Sequence, residues 1–224
     1  MKVIQRAENL SPEKAPSCMK IYDITVPLQA SVAEWPGDTP YTFDRISKLE
    51  EGETVNLGSV SMSVHAGTHA DAPYHFLEAG ASVDALDPEV YMGPAYVIDL
   101  RGREAIRRAD LLPFDLTQTP RVLFRTDAWT DYTRFPETIP VMEPDVPDHL
   151  QAHGVKLIGV DVPSVDRIES KDLPIHRALA ARGIHILEAL RLVDVQEGRY
   201  ELLALPLKLV GADGAPVRAV LRQP

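Results

Sequence analysis

Between residues 65 and 75 the chain runs His-Ala-Gly-Thr-His-Ala-Asp-Ala-Pro-Tyr-His, and this stretch limits the fold more than any other. A helix is disfavoured here, because Gly67 costs backbone entropy and Pro73 lacks an amide hydrogen. In extended backbone, residues two apart share a face. His65, His69 and Asp71 have the same parity, so a strand running into a Gly-containing turn presents two imidazoles and a carboxylate together. Just before it, Ser59-Val60-Ser61-Met62-Ser63-Val64 alternates small polar with apolar side chains, the period of a half-buried strand. Ser61 and Ser63 then share the histidine face, while Val60, Met62 and Val64 face the core.

Neutral imidazole and carboxylate are good ligands for Zn²⁺ and are accepted by Mn²⁺. Catalytic sites keep a coordination position open for water, and the metal lowers the pKa of that water towards neutrality. The competing reading is a solvated loop, or histidines satisfied by hydrogen bonds. Against it stand four titratable groups crowded together with no balancing cation nearby. His75 lies beyond Pro73, which reorients the chain; a further ligand, a proton carrier and a surface residue are all compatible with that position.

A second cluster lies far along the chain. His176 falls in the first turn of the helix expected over Pro174 to Arg182, with Pro174 suited to a first turn and Gly183 to a C-terminal cap. Glu188 follows the short apolar strand Ile184 to Leu187 and shares a face with Ile184 and Ile186. A carboxylate that continues an apolar face is costly unless paired or metal-bound. On its own His176 reads as a surface histidine at a helix end; taken with Glu188 and the first cluster, it makes room for a second metal. In Trp35-Pro36-Gly37-Asp38 a rigid turn carries a tryptophan, either to stack on an aromatic substrate or to pack on the core. His149, His153 and His185 have no partners at ligand spacing and read as structural or exposed.

Further strands are expected at Ala95 to Leu100, Arg121 to Thr126, Val155 to Asp161, Tyr200 to Leu205 and Pro216 to Leu221, and further helices at Glu104 to Leu111 and Asp145 to His153. The pattern is mixed α/β with more strand than helix. Residues 127–147, rich in Pro, Thr and Asp, read as a long surface loop. Residues 1–20 read as a polar leader, and 21–224 as one domain. The net charge of -10 without a basic cluster argues against nucleic-acid partners. No apolar run reaches membrane-spanning length, and a single cysteine, Cys18, fits a reducing compartment. A cytoplasmic protein with a small-molecule substrate is expected.

The His65-to-His75 run resembles the signature of the cyclase-like metal-dependent hydrolase family. Trp35 to Pro40, Leu157 to Asp166, Tyr200 to Leu207 and Pro216 to Leu221 extend the likeness over roughly residues 21–222 and bring the chain nearest to the aryl formamidase branch. The resemblance implies a layered β/β/α fold with a barrel-like mixed sheet, a homodimer or larger homo-oligomer, and two zinc ions per subunit. His65, His69 and Asp71 match the first zinc site. Asp71 and Glu188 match bridging carboxylates, and His176 a ligand of the second zinc. His75 matches the proton donor and acceptor, and Trp35 a substrate-binding position. The implied reaction is hydrolysis of a linear amide C–N bond, in N-formyl-L-kynurenine. Thr68 departs from the formamidase run and is shared with isatin hydrolases, so cyclic amide opening is the alternative; a metal-binding module without turnover is the other. Arg125, Arg134 and Lys171 are candidate partners for a substrate carboxylate.

Overall fold

A computed structural model of the protein describes residues 20–223. The expected leader over residues 1–20, with Cys18, lies outside these residues except for Lys20.

Thirteen strands form among the described residues: β1 (Ile21–Asp23), β2 (Thr42–Ser47), β3 (Leu57–Ser61), β4 (His69–Asp71), β5 (Met92–Asp99), β6 (Ala105–Ile106), β7 (Arg121–Arg125), β8 (Val141–Met142), β9 (Leu157–Val160), β10 (His185–Glu188), β11 (Gly198–Leu203), β12 (Gly214–Pro216) and β13 (Val220–Arg222). Nine of them make one curled sheet in the order β1-β13-β11-β5-β7-β9-β10-β4-β12. Its centre is parallel, β5 with β7, β7 with β9 and β9 with β10, and both flanks are antiparallel. The helices are few and short: α1 (Arg108–Leu111), α2 (Val146–Ala152) and α3 (Pro174–Ala180).

Parallel strands need both faces covered, and the central strands divide their residues accordingly. Val97, Leu123, Leu157 and Leu187 enter one core cluster. Their chain neighbours Ile98, Phe124, Ile158 and Ile186 enter the other, which α2 and α3 cover through Val146, Leu150, Ile175 and Leu179. Because side chains alternate along β10, Glu188 falls on the Ile186 face, as its parity predicts. The sheet therefore carries a carboxylate into an apolar layer.

Several sequence expectations shift in detail. The strand expected over 59–65 ends at Ser61 and, among the described residues, pairs only with β2, in a separate two-stranded hairpin. Val60 is 51% exposed, so it does not face the core. The helix expected over 104–111 contracts to α1, preceded by β6, while the segment expected over 216–221 divides between β12 and β13. The loop at 127–147 is less of a surface feature than its composition indicates: it contains β8 and buries Trp129, whose Nε1 donates to the carbonyls of Asp131 and Arg134.

Candidate metal centre and substrate cavity

Strand β4 is the axis of the site. It lies between β10 and β12, with Glu188 opposite His69 and Gly214 opposite Asp71. Pairing alone thus brings a carboxylate from the distant second cluster beside the first. His69 and Asp71 lie on the same strand, as parity predicts, but His65 reaches the site from the turn before it. Gly67 makes that turn with φ of 62°, a conformation that a side chain disfavours; a Cβ there would also meet Leu28 Cδ2 at 2.9 Å. Thr68 is buried with its hydroxyl committed to backbone, accepting from Val26 N at 2.8 Å and donating to Ala189 O at 2.5 Å. Its departure from the formamidase run is therefore a packing feature, and Thr68 does not line the cavity described below.

Helix α3 places His176 over the same point. Asp166 fixes it by accepting from the backbone amides of Ile175 and His176, both at 3.1 Å, and from His176 Nδ1 at 2.7 Å. That leaves His176 Nε2 at 3.4 Å from Asp71 Oδ2 and 3.3 Å from Glu188 Oε1. On the other side, Asp71 Oδ1 lies 3.2 Å from His65 Nδ1 and 3.3 Å from His69 Nε2. His69 Nδ1 is occupied by the Gly67 carbonyl at 2.8 Å, so Nε2 faces inward.

Asp71, His69, His176 and Glu188 are all buried, none more than 4% exposed. Yet both Asp71 oxygens lack a hydrogen bond. The three imidazole nitrogens approach without the alignment that a hydrogen bond needs, and a buried carboxylate left so is expensive. Donor atoms converge instead in three residue sets: His65, His69 and Asp71 in one, Asp71, His176 and Glu188 in another, and His65, His75 and Asp213 in a third toward the rim, each set with its ligand atoms within 4.8 Å of one another. Nitrogen and oxygen donors closing on a shared carboxylate suit divalent ions of the zinc type. Two such sets share the Asp71 carboxylate, so the chain carries groups that could bind a metal ion.

Charge follows the same geometry. Burial alone would hold the His65 imidazole low, but the Asp71 and Asp213 carboxylates carry its pKa up to about 9. His176 is likewise pulled down by burial and then raised well above the ordinary histidine value by Asp166, Asp71 and Glu188. Burial raises Asp71, yet the facing imidazoles hold it well below the usual carboxylate range. At both imidazoles the surrounding carboxylates favour positive charge at this point.

A cavity of about 480 Å³ opens from this centre. His65, His69, His176 and Glu188 line its floor, while Trp35, Trp129, Phe135 and Leu173 wall it. Trp35 meets Phe135 edge to face at 5.2 Å. The walls therefore offer aromatic surface at a size suited to a small organic ligand. Leu173 and Ala189, two of three non-glycine residues with positive φ among the described residues, also line it. Each such position costs about 1–3 kcal/mol, and such strain concentrates at functional sites. His75 sits in a short 3₁₀ turn after Pro73, at the exposed rim, its ring centroid 4.0 Å from that of His65.

All seven singled-out residues, His65, His69, Asp71, His75, His176, Glu188 and Trp35, meet at this one place. The candidate carboxylate partners do not. Arg125 is buried, bound to Asp127 and to the carbonyls of Val193 and Val195, and neither Arg134 nor Lys171 lines the cavity. His185 pairs with the Tyr91 hydroxyl at 3.0 Å, and His149 stacks with His153, in keeping with structural roles. Three participants escaped the sequence reading: Asp166, Asp213 and the Trp129–Phe135 wall. Asp166 stood inside a segment that carried the family resemblance; nothing in the sequence marked the others.

The family model described as putative cyclase matches residues 22–167. The kynurenine formamidase of Geobacillus thermodenitrificans is 50% identical over 202 residues, covering 90% of this chain and 96% of that protein. That of Bacillus cereus is 48% identical over 200 residues, covering 89% and 96%. Among solved structures, one described as a potential metal-dependent hydrolase with cyclase activity superposes with a TM-score of 0.78 at 32% identity, covering 92% of this chain and all of its own.

Proposed function

Because the chain belongs to the putative cyclase family, we propose that it is a metal-dependent amide hydrolase that converts N-formyl-L-kynurenine and water to L-kynurenine and formate, a step in tryptophan breakdown. The observation that carries the metal-dependent chemistry is the buried Asp71 carboxylate, with both oxygens free of hydrogen bonds at the floor of an aromatic-walled cavity. The choice of substrate rests on the formamidase relatives, which match nearly the whole chain.

His65, His69 and Asp71 would hold one ion, and Asp71, His176 and Glu188 the other. The ions are a zinc pair in this proposal, and the same donors accept manganese. When bound, they supply Lewis-acid polarisation of the formyl oxygen and a water of lowered pKa. His75 takes the proton released by the attacking water and delivers it to the anilide nitrogen as the C–N bond breaks. The water oxygen leaves in formate, and the amine departs neutral. Trp35 stacks on the aryl ring, with Phe135 and Trp129 closing the apolar wall behind it.

We further take the protein to act in the cytoplasm as a homodimer or larger homo-oligomer. The half-exposed apolar residues Phe43, Ile46, Leu57 and Val60 of the β2–β3 hairpin favour association. The deciding experiment combines metal analysis with formate release from N-formyl-L-kynurenine, with isatin assayed in parallel. Turnover of N-formyl-L-kynurenine that disappears with chelator and returns with zinc is expected. Preferential turnover of isatin would replace the linear substrate with a cyclic one.

A further inference from the structure

Asp213 stands in the turn before β12, outside both donor sets that share Asp71, and its Oδ2 accepts from two imidazoles at once. His65 Nε2 is 2.9 Å away and His75 Nδ1 3.2 Å. The turn is built for this approach. The Asp213 carbonyl accepts from Ala72 N at 2.9 Å, which ties the turn to the end of β4. Gly214 then lets the chain pass the histidine, since a Cβ there would stand 2.8 Å from His65 Cε1 and 3.1 Å from the Ala70 carbonyl. Asp213 is itself only part-buried, with a side chain 42% exposed, so it is no forced ion pair of the core.

Resting on the proposed formamidase activity, we propose that Asp213 is a positioning residue whose single carboxylate oxygen sets the tautomers of the metal-ligand His65 and the proton carrier His75 together. A ring nitrogen that donates its hydrogen to a carboxylate leaves the other nitrogen with its lone pair. His65 donates from Nε2, and Nδ1 is left facing Asp71. His75 donates from Nδ1, and Nε2 is left to accept a proton from water and return it to the leaving nitrogen. An acid that orients a general-base imidazole in this way also stabilises the imidazolium formed mid-reaction. Asp213 touches no reacting atom; it acts through His75.

The test separates proton delivery from general damage by changing the leaving group. Substituted formanilides need a proton on nitrogen, whereas 4-nitrophenyl formate releases a stable phenolate without one. Asp213→Ala is expected to lower kcat on formanilides by about 10–100-fold, with the loss growing as the aniline becomes a poorer leaving group. KM and, at saturating zinc, bound metal are expected to stay near parent values, and the ester, which still needs His75 to take the proton from water but needs none on its leaving group, is expected to lose less than the anilides. Asp213→Asn, whose amide oxygen still accepts, should recover part of the loss. Equal losses on ester and anilide, loss of the ions, or an unchanged kcat would each overturn the assignment. Nitrogen-15 NMR of the histidine rings gives a readout independent of turnover. His75 should carry its hydrogen on Nδ1 in the parent and lose that preference in Asp213→Ala, and an Nε2-protonated His75 in the parent defeats the proposal whatever the substrate. A parent that hydrolyses the ester but not N-formyl-L-kynurenine counts against the substrate assignment alone.

Discussion

Strand β4 and the β2–β3 hairpin are near neighbours in sequence and depart from ordinary burial in opposite directions. β4 puts His69 and Asp71 in the interior, each 3% exposed, where unpaired charge is costly. The hairpin sets Phe43, Ile46, Leu57 and Val60 in solvent, each at least 51% exposed. The first departure is held by structure on every side. β10 and β12 pair with β4, Asp166 clamps His176, and Thr68 ties the loop to Val26 and Ala189. The hairpin, by contrast, forms its own two-stranded sheet. The buried polar cluster carries the proposed chemistry, whereas the exposed apolar face of the separate hairpin carries the proposed association. The two inferences fail under different experiments.

The largest effect should come from emptying the interior cluster. Chelator, or His176→Ala, should reduce formate release to background, and zinc should restore the chelated parent but not the variant. Because removing His176 also leaves Asp71 and Glu188 without their facing imidazole, thermal unfolding in the metal-free state should fall as well. Full activity after exhaustive chelation, checked by metal analysis, would break the chemical half of the comparison. Next comes His75→Ala. It lies at the rim and outside the buried set, so ions and fold should persist while kcat falls by about 10²–10⁴-fold. A near-parent kcat would remove His75 from proton transfer.

How far these residues could be found from sequence follows from what parity and spacing encode. His69 and Asp71 share a strand face, and Glu188 continues the Ile186 face, so alternation alone places them correctly. That β4 and β10 are adjacent is a fact of sheet order, and no local pattern carries it; the family resemblance supplied that link. Asp213 went unseen for the same reason, since its meaning comes from the β12–β4 register and from the space left at Gly214. Trp129 was hidden by its polar neighbours, whose carbonyls satisfy its indole N–H and so allow it to be buried. The hairpin failed in the other direction: alternation reports that a strand has an apolar face but not what covers it.

A smaller effect concerns pH. In the ion-free protein His65 holds a proton up to about pH 9, drawn by Asp71 and Asp213 against the penalty of burial. An incoming cation must displace that proton, which opposes binding below about 9 and not above it. Apparent zinc affinity should therefore rise with pH, by about tenfold per unit for each displaced proton, with the His65 share of the slope ending near 9 and any share from His176 persisting. Competition titration with a chelating dye across pH 6–10 measures this directly. A flat profile would mean that the ion does not enter at the His65 side.

The smallest effect belongs to the hairpin. Phe43→Ser removes apolar surface that is already 55% exposed, so within one chain little packing is lost. Unfolding free energy at high dilution should change by no more than about 0.5 kcal/mol, the usual range for surface substitutions. At high protein concentration the same substitution should matter more, because association adds stability by mass action only where the face is covered by another copy. Urea denaturation at two concentrations, alongside light scattering, separates the cases. A large loss that is independent of concentration would show that the hairpin is held by its own chain, and the contrast between an anchored interior and a free apolar face would no longer stand.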